Sequence, residues 1–195
     1  MLLDSLDRLP SISVNNSENF SLSNEEILLS QKEISLKSIH LLSDYSFAIQ
    51  TDKETVCLNQ LDSFTKYPIA SKQTYSLENQ GIEVNQLVIF SRNKSGVTIL
   101  NYIKNVEKST KNFKFLFQAN TNLKSTGWTD SMSEEGAPDQ ISFDQITGIF
   151  TAKDEVNNYF AVWDSTPEFS LIPADSDCVE KVTEYGTSAG FEISV

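Results

Sequence analysis

The pentapeptide Gly186-Thr187-Ser188-Ala189-Gly190 matches the G-x-S-x-G pattern that sets a nucleophilic serine on a strained strand-to-helix turn. The chemistry would be acyl transfer, which needs a helix behind the serine and an acid and a histidine later in the chain. Only five residues follow Gly190, and the one histidine, His40, lies far upstream. The motif therefore reads as a turn of small residues before a last strand, Phe191–Val195. His40 could serve a serine or cysteine nucleophile with Asp44 beside it in sequence. Alternation in Ser38-Ile39-His40-Leu41-Leu42 instead places it opposite Ile39 and Leu41 as a solvated or hydrogen-bonded strand residue. One imidazole excludes sites built on two, including the HExxH metalloproteases and most catalytic zinc centres.

Carboxylates offer the next chemistry. Asp130, Glu134, Glu135 and Asp139 lie in one long connection, and Asp175, Asp177 and Glu180 in another acidic loop. Two carboxylates two residues apart can turn their oxygens to one side of a Ca²⁺ ion, so Asp175, Asp177 and Glu180 are weak metal candidates. The glycine and full ligand ladder of an EF-hand loop are missing, and a solvated acidic loop is the plainer expectation. Pairs drawn from Asp144, Asp154, Glu155, Asp164 and Glu168 could serve a glycosidase, but in so acidic a region such pairs discriminate nothing. No cofactor motif is present: the chain has neither a Walker loop nor GxGxxG.

Aromatic residues could instead bind a ligand. Trp128, between Gly127 and Thr129 in a polar stretch, is the best candidate for an exposed contact residue, and Trp163 suits a core anchor. Alternation over 159–163 divides Tyr159, Ala161 and Trp163 from Phe160 and Val162. One of these sets must be core.

The charge narrows the partners. The formal net charge is −12 at pH 7, which argues against a nucleic-acid binder working by bulk electrostatics and against an anionic membrane surface. Residues 1–120 hold 12 Lys+Arg against 13 Asp+Glu, and residues 121–195 hold 3 against 14. Arg92, Lys94, Lys104, Lys108, Lys111 and Lys114 cluster in sequence with only Glu107 opposing them. An acidic end and a basic patch on one chain suit a head-to-tail contact steered by charge. The two cysteines, Cys57 and Cys178, have no zinc-site spacing, and Cys57 reads as a buried thiol. The start, MLLDSLDRLP, lacks the apolar core of a signal peptide, and no stretch approaches 18 apolar residues. Synthesis and residence in the cytoplasm are expected, unless the protein leaves by assembly or lysis.

The elements that would position these residues are short strands. Two runs, Ile146–Thr151 and Tyr159–Trp163, flank polar Lys153–Asn158 and predict a hairpin. Ten or so such strands, with turns every 8–12 residues, describe an all-β antiparallel sandwich, jelly roll or barrel. A capping pattern at Ser23-Asn24-Glu25-Glu26 predicts one short helix near residues 24–31. Residues 1–24 read as an N-terminal arm and 25–195 as a single β domain, with a split near 118–140 as the alternative. Ser, Thr and Asn make up about a quarter of the chain, which suits turns and solvated strand faces.

This profile, acidic, β-rich and without a readable active site, is expected of a non-enzymatic structural protein acting through protein–protein contacts. A coat, decoration or tail component of a virus or phage fits it, with other protein chains as homo- or hetero-oligomeric partners. The alternatives are a carbohydrate- or small-ligand-binding β module using Trp128, and an enzyme without a readable motif.

Overall fold

The computed structural model describes residues 12–14, 21–23, 27–30, 34–36, 39–67, 70–90, 97–125, 139–144, 146–156, 158–164, 170–172, 178 and 187–194. In chain order the strands are β1 (Ile12–Val14), β2 (Ser21–Ser23), β3 (Ile27–Ser30), β4 (Ile34–Leu36), β5 (Ile39–Gln50), β6 (Thr55–Cys57), β7 (Ser63–Tyr67) and β8 (Ala70–Leu77). After a 3-10 turn at Glu78–Gln80 follow β9 (Ile82–Phe90), β10 (Val97–Asn105), β11 (Lys114–Ser125), β12 (Asp139–Asp144), β13 (Ile149–Asp154), β14 (Phe160–Trp163), β15 (Ser170–Ile172) and β16 (Thr187–Ser194). The fold is all-β, with antiparallel pairing throughout the described ladders, and no sheet closes into a barrel.

The strands fall into two compact units. Unit 1, Met1–Leu22 with Gln60–Lys111, holds a five-stranded sheet in the order β1-β7-β8-β9-β10. Period-two sequence explains its faces. In β8 and β9, Tyr75 stands opposite Val84 and Gln73 opposite Gln86, all of them buried. The other face packs Tyr67, Ala70 and Leu87, with Ile89 and Leu100 against them. Polar residues inside the first face need partners. Gln86 donates to Asn101 at 2.8 Å and the Tyr75 hydroxyl donates to Gln73 at 2.6 Å. Ser71 Oγ and Gln73 Nε2 are buried without a hydrogen bond, a cost of about 1–3 kcal/mol each that the surrounding apolar burial offsets.

Unit 2, Ser23–Asn59 with Asn112–Val195, contains a three-stranded sheet, β12-β13-β14, and the strands β15-β16-β11-β5-β4-β3 of the larger sheet, with β6 also on β5. Its centre is the pair of 12-residue strands β5 and β11. Tyr45, Phe47 and Ile49 face Ala119, Phe117 and Phe115 in register, and Phe47 lies 5.0 Å from the Phe117 ring and 5.4 Å from Phe115. Burial of such side chains contributes about 1.5–3 kcal/mol each. The division at 118–140 considered from sequence begins inside β11, a strand paired on both sides.

Two expectations are corrected. No helix forms over residues 27–30: Ile27, Leu28 and Leu29 pair with Leu36, Ser35 and Ile34. Eight residues are too few for a helix to pay back its nucleation in isolation, whereas a strand partner lies four residues on at β4 and β2 flanks the other side, so alternate backbone groups of β3 have a neighbour in each direction. The capping residues Asn24, Glu25 and Glu26 lie outside the described residues. Cys57 is not a free thiol either, because it is disulfide-bonded to Cys178 across 121 residues of sequence. Two cysteines that far apart carry no local signal of pairing.

Candidate functional site

The hairpin predicted from Ile146–Thr151 and Tyr159–Trp163 is present as β13 and β14, with its first strand shifted to Ile149–Asp154, Ile146 in the turn before it, and β12 added in front. Its inward set is Tyr159, Ala161 and Trp163, the last in edge-to-face contact with Phe150. Its outward set is exposed: Phe160 is 68% and Val162 55% accessible. Among the described residues β14 pairs only with β13, so one strand edge is open. Asp154 N–H donates to the Tyr159 carbonyl, which fixes the phase of the ladder. Residues 159, 161 and 163 bond to β13, and Phe160 and Val162 turn their own N–H and C=O outward. The residues with exposed apolar side chains are thus the ones offering backbone hydrogen bonds.

The flanking turns extend this surface. Asp144 accepts hydrogen bonds from the N–H groups of Ile146 and Thr147, and Gly148, at φ 69°, closes the turn onto the Asp144 carbonyl. Those bonds, led by Ile146 N–H, hold the Asp144 carboxyl below its ordinary range and leave the Ile146 side chain in solvent. At the other turn Val156 N–H bonds to Asp154 Oδ1 and the Val156 side chain is exposed. Carboxylates rim the patch, with Asp144, Glu155 and Asp164 exposed, and Lys153 is exposed opposite Phe160.

Unit 1 also ends in an open edge. Among the described residues β10 pairs only with β9, over nine residues without a register shift. Val106 N–H donates to the Gly81 carbonyl, so the even-numbered residues of β10 bond inward and the odd-numbered ones face the edge. Tyr102 and Lys104 are exposed beside it, and Lys108 follows in the next turn.

The basic cluster expected from sequence is divided by the fold. Lys104, Lys108 and Lys111 belong to unit 1 and Lys114 to unit 2; Arg92 and Lys94 lie outside the described residues. Lys111 is also occupied: its ammonium lies 3.1 Å from Glu107 and donates to the Gln80 carbonyl. That ammonium holds the Glu107 carboxyl below its ordinary range, helped by the Ser109 hydroxyl. Assigning charges by unit sharpens the asymmetry seen in sequence. Unit 1 has eight Lys+Arg against seven Asp+Glu, a net +1, and unit 2 has seven against twenty, a net −13.

One constellation had no sequence signal. Asp139 and Asp154 stand directly opposite each other on β12 and β13, 5% and 0% accessible, and are the only buried charged residues among those described. Asp139 Oδ2 accepts from Leu123 N–H at 3.1 Å, tying the small sheet to β11 of the large one. Burial raises the Asp139 carboxyl above its ordinary range, and Asp154 adds to this. Hydrogen bonds from the Thr121 hydroxyl and Leu123 N–H oppose it. Two carboxylates fall short of the six to eight oxygens Ca²⁺ takes. Among the described residues no group of three or more His, Cys, Asp or Glu comes together.

Several sequence candidates fall outside the described residues: Trp128 and the metal candidates Asp175, Asp177 and Glu180. Thr187 to Gly190 of the serine motif lie within β16, not in a turn, and Ser188 pairs with Asn120, so the backbone there is extended. His40 pairs with Lys124 and Ser35 inside the same sheet. No helix among the described residues is long and apolar enough to cross a membrane. Compared with known proteins, the chain matches no family model and no curated protein.

Proposed function

We propose that this protein is a non-enzymatic assembly component acting through contacts with other protein chains, such as a coat, decoration or tail component of a virus or phage. The observation that carries the reading is the edge of β14, open among the described residues, where Phe160 and Val162 expose apolar side chains and turn their backbone groups outward together. An edge of this kind is a template for another strand, and soluble proteins normally blunt it with charge, proline or a covering segment. The unequal charge of the two units adds a means of orienting a partner during encounter. Cytoplasmic synthesis followed by incorporation into a particle belongs to the same reading.

The test is the solution mass of the full chain by light scattering, at rising protein concentration in low salt and again in high salt. Mass above 21.9 kDa that grows with concentration and falls with salt is the expected result. A single 21.9 kDa species in every condition contradicts self-assembly.

A further inference from the structure

We propose that copies of this chain associate head to tail, the open edge of β14 in one copy pairing with the open edge of β10 in the next. This rests on the assembly reading above and names its contact. Both edges present outward backbone groups at alternate residues: Phe160 and Val162 on β14, and the odd-numbered residues of β10. Antiparallel or parallel pairing of the two satisfies those groups. It also covers the exposed Phe160 and Val162, with exposed Tyr102 on the partner edge.

Charge selects this pairing over the symmetrical ones. Joining β14 to β14 would bring together two units of −13 each, rimmed by Glu155 and Asp164, and like charges at a contact suppress association. Joining β10 to β10 would oppose two sets of Lys104 and Lys108. Only β14 against β10 sets the acidic rim against the exposed lysines. Of the carboxylates beside β10, Glu107 is engaged by Lys111, and Glu83, opposite Lys104 on β9, is half-buried and accepts from Asn85 at 2.7 Å, so the more exposed Lys104 and Lys108 dominate the local field. A contact between two different patches is heterologous, so it builds an open chain of molecules or a ring rather than stopping at a dimer. Four residues of β14 make a small interface, and the association is therefore weak and concentration-dependent.

The experiment uses the full chain and two edge-blocking variants. Val162→Pro removes an outward N–H from β14 and leaves the ladder to β13 intact; Ile103→Pro does the same for β10. By sedimentation velocity the unaltered protein is expected to form a concentration-dependent series of sizes, and each variant alone to lose about tenfold or more in self-association. Mixed together, the variants are expected to form one-to-one pairs and stop there, because each still carries the edge the other lacks. Self-association of Ile103→Pro alone at the unaltered strength would mean β14 pairs with itself and would overturn the proposal. If the unaltered protein assembles while the variants assemble just as well, this contact is wrong and the assembly reading stands. If it stays monomeric throughout, both fall. Should Ile103→Pro lose its β signal in circular dichroism, the exposed-charge variant Lys104→Glu/Lys108→Glu takes its place. It is expected to associate about tenfold more weakly and to recover when mixed with Glu155→Lys/Asp164→Lys; no recovery overturns the proposal.

Discussion

Asp139 and Asp154 are where this fold holds its least comfortable charges. Facing each other across β12 and β13 and almost wholly out of solvent, the two carboxylates repel, and burial together with that repulsion raises the Asp139 carboxyl. The folded state therefore binds that proton more tightly than the unfolded chain. Stability consequently rises as pH falls from neutral through the raised titration toward the ordinary carboxylate range, and is lost in the opposite direction. Asp139→Asn keeps an acceptor for Leu123 N–H and gives the pair a donor in place of a charge. It is expected to raise unfolding stability at neutral pH by on the order of 1 kcal/mol, with the gain shrinking as the buffer is acidified. Urea midpoints for both proteins at pH 7 and pH 5 measure this. A variant that is less stable than the parent by the same amount at both values would show that the pair is not a repulsive one.

At the scale of elements, the covalent tie matters as much as any ladder. Cys57 ends β6, a three-residue strand that among the described residues pairs only with β5, and the disulfide ties it to Cys178, 121 residues away. A loop of that length loses much entropy from the unfolded chain when closed, so reduction, or Cys57→Ser with Cys178→Ser, is expected to cost roughly 3–5 kcal/mol. Urea unfolding with and without reductant is the check, and an unchanged midpoint would mean the bond does not form in solution. Neither this bond nor the large sheet was legible from local pattern. The hairpin of β13 and β14 was, because its partners are neighbours and two β-branched and aromatic runs flank one polar turn. The pairing of β5 with β11 joins segments some seventy residues apart, and a period of two says only that each is a strand. Ile27–Ser30 was misread for the same reason. A short apolar run with a plausible cap looks helical until its partner β4 is known. The lysines near residue 110 read as one patch in sequence, yet the boundary between units falls between Lys111 and Lys114. The carboxylate pair at 139 and 154 depends on register alone, which the composition of an acidic segment hides.

For the whole molecule, the charge of −12 is a poor summary of two parts at +1 and −13. The more acidic unit carries the exposed apolar edge, and the nearly neutral unit carries an exposed edge with lysines beside it. Under the assembly proposed above, net charge keeps such chains apart when dilute and its uneven distribution orients them when they meet. The central claim is that open strand edges are the working surfaces. Hydrogen exchange of the full chain at low salt, compared between dilute and concentrated solution, tests it amide by amide. The account predicts that Phe160, Val162 and the odd-numbered amides of Val97–Asn105 exchange more slowly when the protein is concentrated, while the amides already bonded in β5 and β11 do not change. Equal exchange at both edges across that concentration range would contradict it.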